Sequence, residues 1–111
     1  MANAGNLGKV MSQANNWVSV YTAPTTIAYS SITLINFANN DTVAPATITL
    51  SVGTSSPSGI LDIVTPPFTI DPNFTERDTT LRLLSPGEHI YIYCTSSLVS
   101  IRVEGIEAAT L

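Results

Sequence analysis

The chain is poor in the residues on which most functions of soluble proteins depend. Charged residues make up 11% of its 111 positions, and it has a single cysteine and a single histidine. Ordinary soluble domains contain about 25% charged residues, so the surface expected here is polar but weakly charged. Such a surface solubilises a free monomer less well than a charged one, which favours a protein that lies against neighbouring molecules.

Basic residues are especially scarce. The formal net charge is −4, and no Lys or Arg occurs between Lys9 and Arg77. Phosphate backbones and anionic membrane surfaces are bound mainly by clusters of Lys and Arg. The four dispersed basic residues of this chain predict neither a nucleic-acid partner nor a membrane partner.

Cys94 is the only cysteine, so the chain is not a disulfide-stapled secreted module. The N-terminus lacks the basic start and apolar stretch of a signal peptide, and no apolar run is long enough to span a membrane. We therefore expect synthesis in a reducing cytoplasm.

Catalytic and metal chemistry lack the side chains that they need. A nucleophilic triad requires a base and an orienting group, and the only imidazole, His89, points to the opposite face of a predicted strand from Cys94. Zinc requires three or four converging His, Cys or carboxylate ligands. The oxygen-rich segment 71–78 matches no standard calcium loop and is read as a solvated turn. We expect no enzyme activity, small-molecule substrate, cofactor or metal.

The sequence contains instead a series of short Thr- and Ser-rich segments that alternate apolar with polar residues. In the segment 46–52, Ile48, Leu50 and Val52 share one face of a pleated strand. Turn residues separate such segments at regular spacing, which predicts an all-β fold: a single antiparallel β-sandwich, Ig-like or jelly-roll, of about seven or eight strands. Strands are expected at 17–22, 27–38, 46–53, 60–64, 68–70, 79–84, 88–95 and 98–106. The residues expected to face the core are Val18, Val20, Ile32, Leu34, Ile48, Leu50, Val52, Leu81, Leu83, Ile90, Ile92, Val99, Ile101 and Val103.

Residues 1–16 differ from the rest in being rich in Asn, Ala and Gly, with scattered Leu7, Val10 and Met11. This composition does not by itself predict a strand. We expect an extended N-terminal arm, 1–16, followed by a β-sandwich domain, 17–111. The arm would become ordered by burying its apolar side chains against a partner.

Ring-bearing side chains on the predicted strands are further candidates for partner contacts. Amphipathic aromatic residues are favoured at interfaces, and they also pack across neighbouring strands. A binding surface and ordinary cross-strand packing therefore both stay open. The candidates are Trp17, Tyr21, His89, Tyr91 and Tyr93.

The order of several segments resembles that of the small β-sandwich structural proteins of tailed bacteriophage virions. The resemblance begins with Val-Tyr-Thr-Ala-Pro at 20–24 and the strand 27–36 that ends in Asn. It continues through 46–53 and through Leu-Leu-Ser-Pro-Gly-Glu-His-Ile at 83–90, and it closes with the Gly-Ile-Glu ending of 99–107. Each piece has an ordinary structural reason, so the order of the pieces carries the likeness.

This resemblance implies a virion structural protein made in the host bacterial cytoplasm. The specific expectation is a capsid decoration (cement) protein that binds the major capsid protein as a homo-oligomer, for which a trimer is one form. A neck or tail component is the alternative. An alternative of another class is a carbohydrate- or receptor-binding module whose sugar platform consists of Trp17, Tyr21, Tyr91 and Tyr93.

Overall fold

A computed structural model describes residues 4–55 and 63–108 of the chain. These residues form nine β-strands and no helix, so the described part contains no helix able to cross a membrane. The all-β prediction is confirmed. The strands are β1 (Ala4–Met11), β2 (Asn16–Thr22), β3 (Ser30–Asn39), β4 (Ala46–Gly53), β5 (Ile63–Ile70), β6 (Thr75–Asp78), β7 (Arg82–Leu84), β8 (His89–Cys94) and β9 (Val99–Glu107).

The strands form two antiparallel sheets that pack as a sandwich. One sheet has the order β1-β9-β3-β6, with β7 paired to another part of β3, and the other has the order β2-β8-β4-β5. From β1 to β4, each strand lies in the opposite sheet from the strand before it. β8 and β9 likewise lie in different sheets. An immunoglobulin sandwich places its first two strands in the same sheet. The order observed here is that of a jelly roll, with β6 and β7 together taking the place of one strand.

The core lies between the two sheets because each strand turns its apolar residues inward. In β8 and β9, buried residues alternate with more exposed ones along the whole strand. Phe37 of the five-stranded sheet meets Phe68 of the four-stranded sheet nearly edge to face, with ring centroids 5.4 Å apart. The largest fully buried side chains are Phe37, Ile32, Ile35, Ile48, Leu50, Ile70, Leu84, Ile90, Ile92, Ile101, Val99 and Val103.

Of the fourteen predicted core residues, nine are buried, three are half-buried and two are exposed. Val18, Leu34 and Val52 are half-buried. Leu81 and Leu83 are 62% and 64% exposed, so their assignment to the core was wrong. In β7, Arg82 and Leu84 lie opposite buried residues of β3. Leu83 lies between them, so its side chain points to the outer face. The predicted core residues that are buried are Val20, Ile32, Ile48, Leu50, Ile90, Ile92, Val99, Ile101 and Val103.

An irregularity in β3 explains two core residues that alternation did not predict. Ile32 lies opposite Gly105 and Leu34 lies opposite Glu104, so Thr33 is an extra residue in the strand. Such a bulge shifts the side chains that follow by one position. Ile35 and Phe37 consequently face the core and are fully buried.

Residues 4–11, for which the composition predicted no strand, form β1 and pair with β9. Their place in the sheet depends on backbone hydrogen bonds, which need no particular side chains. Leu7 and Val10 pack against the chain's own core. Gly8 allows a close approach to β2, since a Cβ there would lie 2.5 Å from the Val20 carbonyl oxygen. Within the described residues this segment is an element of the sandwich and not an arm extending from it.

Candidate interaction surfaces

The outer face of the four-stranded sheet carries four of the five predicted ring-bearing candidates. Trp17 of β2 lies directly opposite Tyr93 of β8, with ring centroids 5.4 Å apart. His89 and Tyr91 stack on each other at 5.0 Å with an interplanar angle of 21°. All four side chains are half-buried. We call Trp17, His89, Tyr91 and Tyr93 the aromatic face.

Hydroxyl groups surround the aromatic face. The Nδ1 atom of His89 lies 2.8 Å from Ser19 Oγ and 2.7 Å from Thr22 Oγ1. On the other side of β8, Thr49 is opposite Tyr93 and Ser51 is opposite Tyr91. The strands β2, β4 and β8 contain no Asp, Glu, Lys or Arg. The face is therefore polar and aromatic without carrying a fixed charge.

Tyr21, the fifth ring-bearing candidate for partner contacts, does not belong to the aromatic face. The pairing of β2 with β8 shifts between Ser19 and Tyr21, and both Val20 and Tyr21 are buried as a result. Since the Tyr21 side chain is 7% exposed, it lies inside the sandwich. Its proposed contact with a partner stays a prediction.

The Tyr21 hydroxyl is part of a buried polar group. It donates a hydrogen bond of 2.5 Å to Glu107 Oε2 and lies 2.7 Å from Ser30 Oγ. Burial, and then the hydrogen bond to the Glu107 carboxylate, raise the pKa of Tyr21 to about 12, while the Ser30 bond acts in the opposite direction. Because β2 belongs to one sheet and β3 and β9 to the other, these hydrogen bonds link the two sheets.

Cys94 lies on the inner face of β8, where it is 1% exposed. His89 is half-buried on the outer face of the same strand. The prediction that the two side chains point to opposite faces is confirmed. The Cys94 thiol and the His89 ring are therefore not paired as a nucleophile and its general base.

Large apolar side chains lie on the outer face of the five-stranded sheet. Leu83 of β7 and Ile106 of β9 are both opposite Ser31 of β3, on either side of it. They are 64% and 53% exposed, and Leu81, which precedes β7 in the sequence, is 62% exposed. The small Ser31 side chain leaves the two larger ones accessible from above the sheet. We call Leu81, Leu83 and Ile106 the apolar patch. From the sequence, Leu81 and Leu83 were assigned to the core, and Ile106 was not singled out.

A cleft of about 550 Å³ opens between β5 and β6, at one side of the sandwich. Phe37 and Phe68 are among its apolar lining residues, while Glu76, Arg77, Asp78 and Arg82 are its charged ones. Asp78 and Arg82 form an ion pair of 2.9 Å. Burial by itself raises the pKa of Asp78, but the hydrogen bonds from Arg82 and from the Thr80 N–H hold it below its usual value.

This cleft adjoins the segment 71–78, which the sequence predicted to be a solvated turn. Its second half forms β6 and pairs with β3, so the prediction was wrong for Thr75–Asp78. Among the residues that the structure describes, no group of three or more His, Cys, Asp or Glu side chains is arranged to hold a metal ion. Within this segment, Asp78 is paired with Arg82 of β7.

The partner contacts predicted from the N-terminal segment are divided between the interior and the surface. Leu7 and Val10 are half-buried against the core. Met11 is 47% exposed at the end of β1. Of the three side chains, only Met11 is largely accessible to a partner.

No family model matches the sequence, and no curated protein is significantly similar to it. A solved structure described as a pentameric capsid protein isolated from metagenomic phage sequences is similar with a TM-score of 0.39 and 14% sequence identity. The match covers 95% of this chain and 60% of that one, so this chain spans about 60% of the other protein's length. Similarity at this level does not assign a function, which depends on the chain's own surfaces.

Proposed function

We propose that this chain is a structural protein of a tailed-phage virion, specifically a decoration (cement) protein that binds and stabilises the assembled head. The observation that carries the proposal is the apolar patch, with Leu81, Leu83 and Ile106 all more than half exposed. Exposed apolar patches of this kind mark protein–protein contacts. The jelly-roll order supports the proposal because viral capsid domains are among the proteins that use it.

The partner in this proposal is the major capsid protein, and the contact is made face-on by the five-stranded sheet. Burying the exposed remainder of three such side chains contributes about 1–2 kcal/mol each. Association itself costs about 4–15 kcal/mol. A single copy would therefore bind weakly, so we propose a homo-oligomer, for example a trimer, that engages several shell subunits at once.

The N-terminal segment has a smaller role in this proposal than its composition suggested. Because β1 pairs with β9 in the free chain, residues 4–11 do not need a partner to become ordered. Of the three apolar side chains Leu7, Val10 and Met11, only Met11 at the end of β1 remains exposed enough to add to the contact.

The proposal is tested first by the copy number of this protein in purified particles of the source phage, measured by quantitative mass spectrometry against the major capsid protein. A number comparable to that of the capsid subunit supports a cement protein. Far fewer copies would favour the alternative of a neck or tail component, and absence from the particles would overturn the virion role.

A second test asks whether the apolar patch makes the contact. The double variant Leu83→Ser and Ile106→Ser should remain folded and lose binding to heads stripped of this protein. Val43→Ser is the matched control because Val43 is 83% exposed but lies in the connection between β3 and β4, away from the patch. Undiminished binding of the double variant would show that another surface docks.

The aromatic face supports a rival function, a carbohydrate-binding module. Aromatic rings stack on sugars, and the hydroxyls of Ser19 and Thr22 beside His89 supply the polar rim that such sites use. This rival predicts saturable glycan binding by the isolated chain, lost on Tyr91→Ala or Tyr93→Ala and retained on Tyr29→Ala. No binding across a broad glycan panel would contradict it.

A further inference from the structure

The strand register aligns three of the chain's four basic residues in one row. Lys9 of β1 is opposite Arg102 of β9, Arg102 is opposite Asn36 of β3, and Asn36 is opposite Arg77 of β6. The row crosses four strands at right angles, over a distance of about 14 Å at the usual strand spacing. We call Lys9, Asn36, Arg77 and Arg102 the basic row.

The basic row lies on the outer face of the five-stranded sheet. Lys9, Arg77 and Arg102 are exposed, and Asn36 is half-buried between them. Among the described residues, neither Lys9 nor Arg77 forms an ion pair. Arg102 contacts Glu104 at 3.3 Å, with both side chains substantially exposed. The row therefore keeps most of its charge available to an outside group.

The carboxylates nearby do not neutralise the row. Glu76 is opposite the buried Phe37, and Asp78 is likewise opposite a buried residue of β3, so both lie on the inner side of β6, where Glu76 is exposed at the sheet edge and Asp78 is paired with Arg82. Glu107 is buried. Glu104 is thus the one carboxylate on the outer faces of β1, β3, β6, β7 and β9. Although the net charge of the chain is −4, three of its four basic residues lie together on the outer face of the five-stranded sheet.

Like charges directly opposite each other destabilise a sheet, and Lys9 and Arg102 are such a pair. An acidic group placed above them would remove this repulsion. We infer that the basic row binds an acidic segment of a partner protein whose carboxylates are spaced along the row. The inference rests on the proposed function, since it places that partner on the face that carries the apolar patch.

The observations favour an acidic protein segment over a nucleic acid. Proteins that bind duplex DNA electrostatically commonly make about six to ten phosphate contacts, and the row offers three cations. The neighbouring surface is apolar at Leu83 and Ile106 and adds no further positive charge. The overall negative charge of the chain also repels a long polyanion.

The test is a titration of the isotope-labelled full chain with a ten-residue poly-aspartate peptide, followed by NMR amide shifts. We expect the largest shifts at Lys9, Asn36, Arg77 and Arg102, and binding that weakens as salt is added. The double variant Lys9→Gln and Arg77→Gln should bind about five- to tenfold more weakly. Unchanged binding by that variant, or shifts confined to other residues, would overturn the inference.

Two charge-matched variants separate the basic row from net charge. Glu104→Gln removes the carboxylate paired with Arg102 and should tighten peptide binding about two- to threefold. Asp71→Asn makes the same change in net charge at an exposed position just after β5 and should leave binding unchanged. Equal effects of the two variants would mean that net charge alone is responsible, which would contradict a site at the row.

A twelve-base-pair DNA duplex serves as the competing probe in the same buffer. Binding to the duplex that is tighter than binding to the peptide would overturn the inference in favour of a nucleic acid. The two proposals fail separately. Loss of peptide binding leaves the copy number in particles untouched, whereas absence from particles leaves peptide binding at the row untouched.

Discussion

Alkaline pH should weaken this protein through Tyr21. The Tyr21 hydroxyl donates to the buried Glu107 carboxylate, and its pKa is raised to about 12. The neutral phenol is therefore favoured in the folded state over the unfolded one, where the pKa of tyrosine is about 10. Stability from this group is fully present below pH 10 and is lost as the pH rises through 12.

The magnitude follows from the two pKa values. A difference of about two pKa units corresponds to about 2.7 kcal/mol once both states are deprotonated. At pH 11 the unfolded state is largely ionised while the folded state is largely neutral, and about 1.4 kcal/mol is already lost. Since small domains are stable by about 5–15 kcal/mol, this loss is large enough to measure.

Urea denaturation at pH 8, 10 and 11 measures the effect, and Tyr21→Phe isolates it. This variant lacks the hydroxyl and should be less stable than the wild type at pH 8 by about 1–3 kcal/mol. Its stability should then fall less steeply with pH, so the gap narrows by about 1.4 kcal/mol at pH 11. Tyr29→Phe is the control because Tyr29 is 47% exposed. A gap between Tyr21→Phe and wild type that stays constant from pH 8 to 11 would refute the reasoning.

Three further predictions concern packing. Gly105→Ala should destabilise the fold by about 3 kcal/mol or more, because its Cβ would collide with a backbone carbonyl oxygen of β3; Gly53→Ala, which has room, should change the urea midpoint little. Phe37→Ala should cost about 3–5 kcal/mol in the same assay, whereas Phe74→Ala at an exposed position should be nearly neutral. The Cys94 thiol should react with a thiol reagent only after unfolding because it is buried, and rapid reaction of the native protein would contradict the burial.

The strands with strict alternation of apolar and polar residues were predictable to within a residue. The bounds of β4 match the prediction, and those of β9 differ from it by one residue at each end. In these segments one face of the strand packs against the core, so the apolar residues of the sequence pattern are the ones that the sheet turns inward.

The parts that were missed depend on pairing with distant residues. β1 is held by β9, whose paired residues lie 89 to 102 positions away in the sequence, and its Asn- and Gly-rich composition has no local strand signal. The bulge at Thr33 and the shift before Tyr21 each change which face is buried. Alternation counted along one segment cannot detect an extra residue that only the register with a neighbour defines.

The two outer surfaces also differ in how far they could be predicted from the sequence. The aromatic face was partly predictable because His89, Tyr91 and Tyr93 alternate within one strand. The basic row was not predictable, since its members come from four strands and meet only through the register. The same basic residues that are dispersed in the sequence are neighbours in the sheet.

The edges of the two sheets indicate how the molecule meets its partners. On one side, Gly8 brings β1 close to the Val20 backbone of β2. On the other side, Pro66 and Pro67 remove two backbone donors from β5, and β6 is only four residues long and carries the charged side chains of Glu76, Arg77 and Asp78. Such edges resist the addition of a further strand. Because strand addition is disfavoured, the outer faces remain for binding, and the five-stranded sheet has both apolar and charged groups there. We therefore expect this chain to assemble face-on through that sheet rather than through its edges.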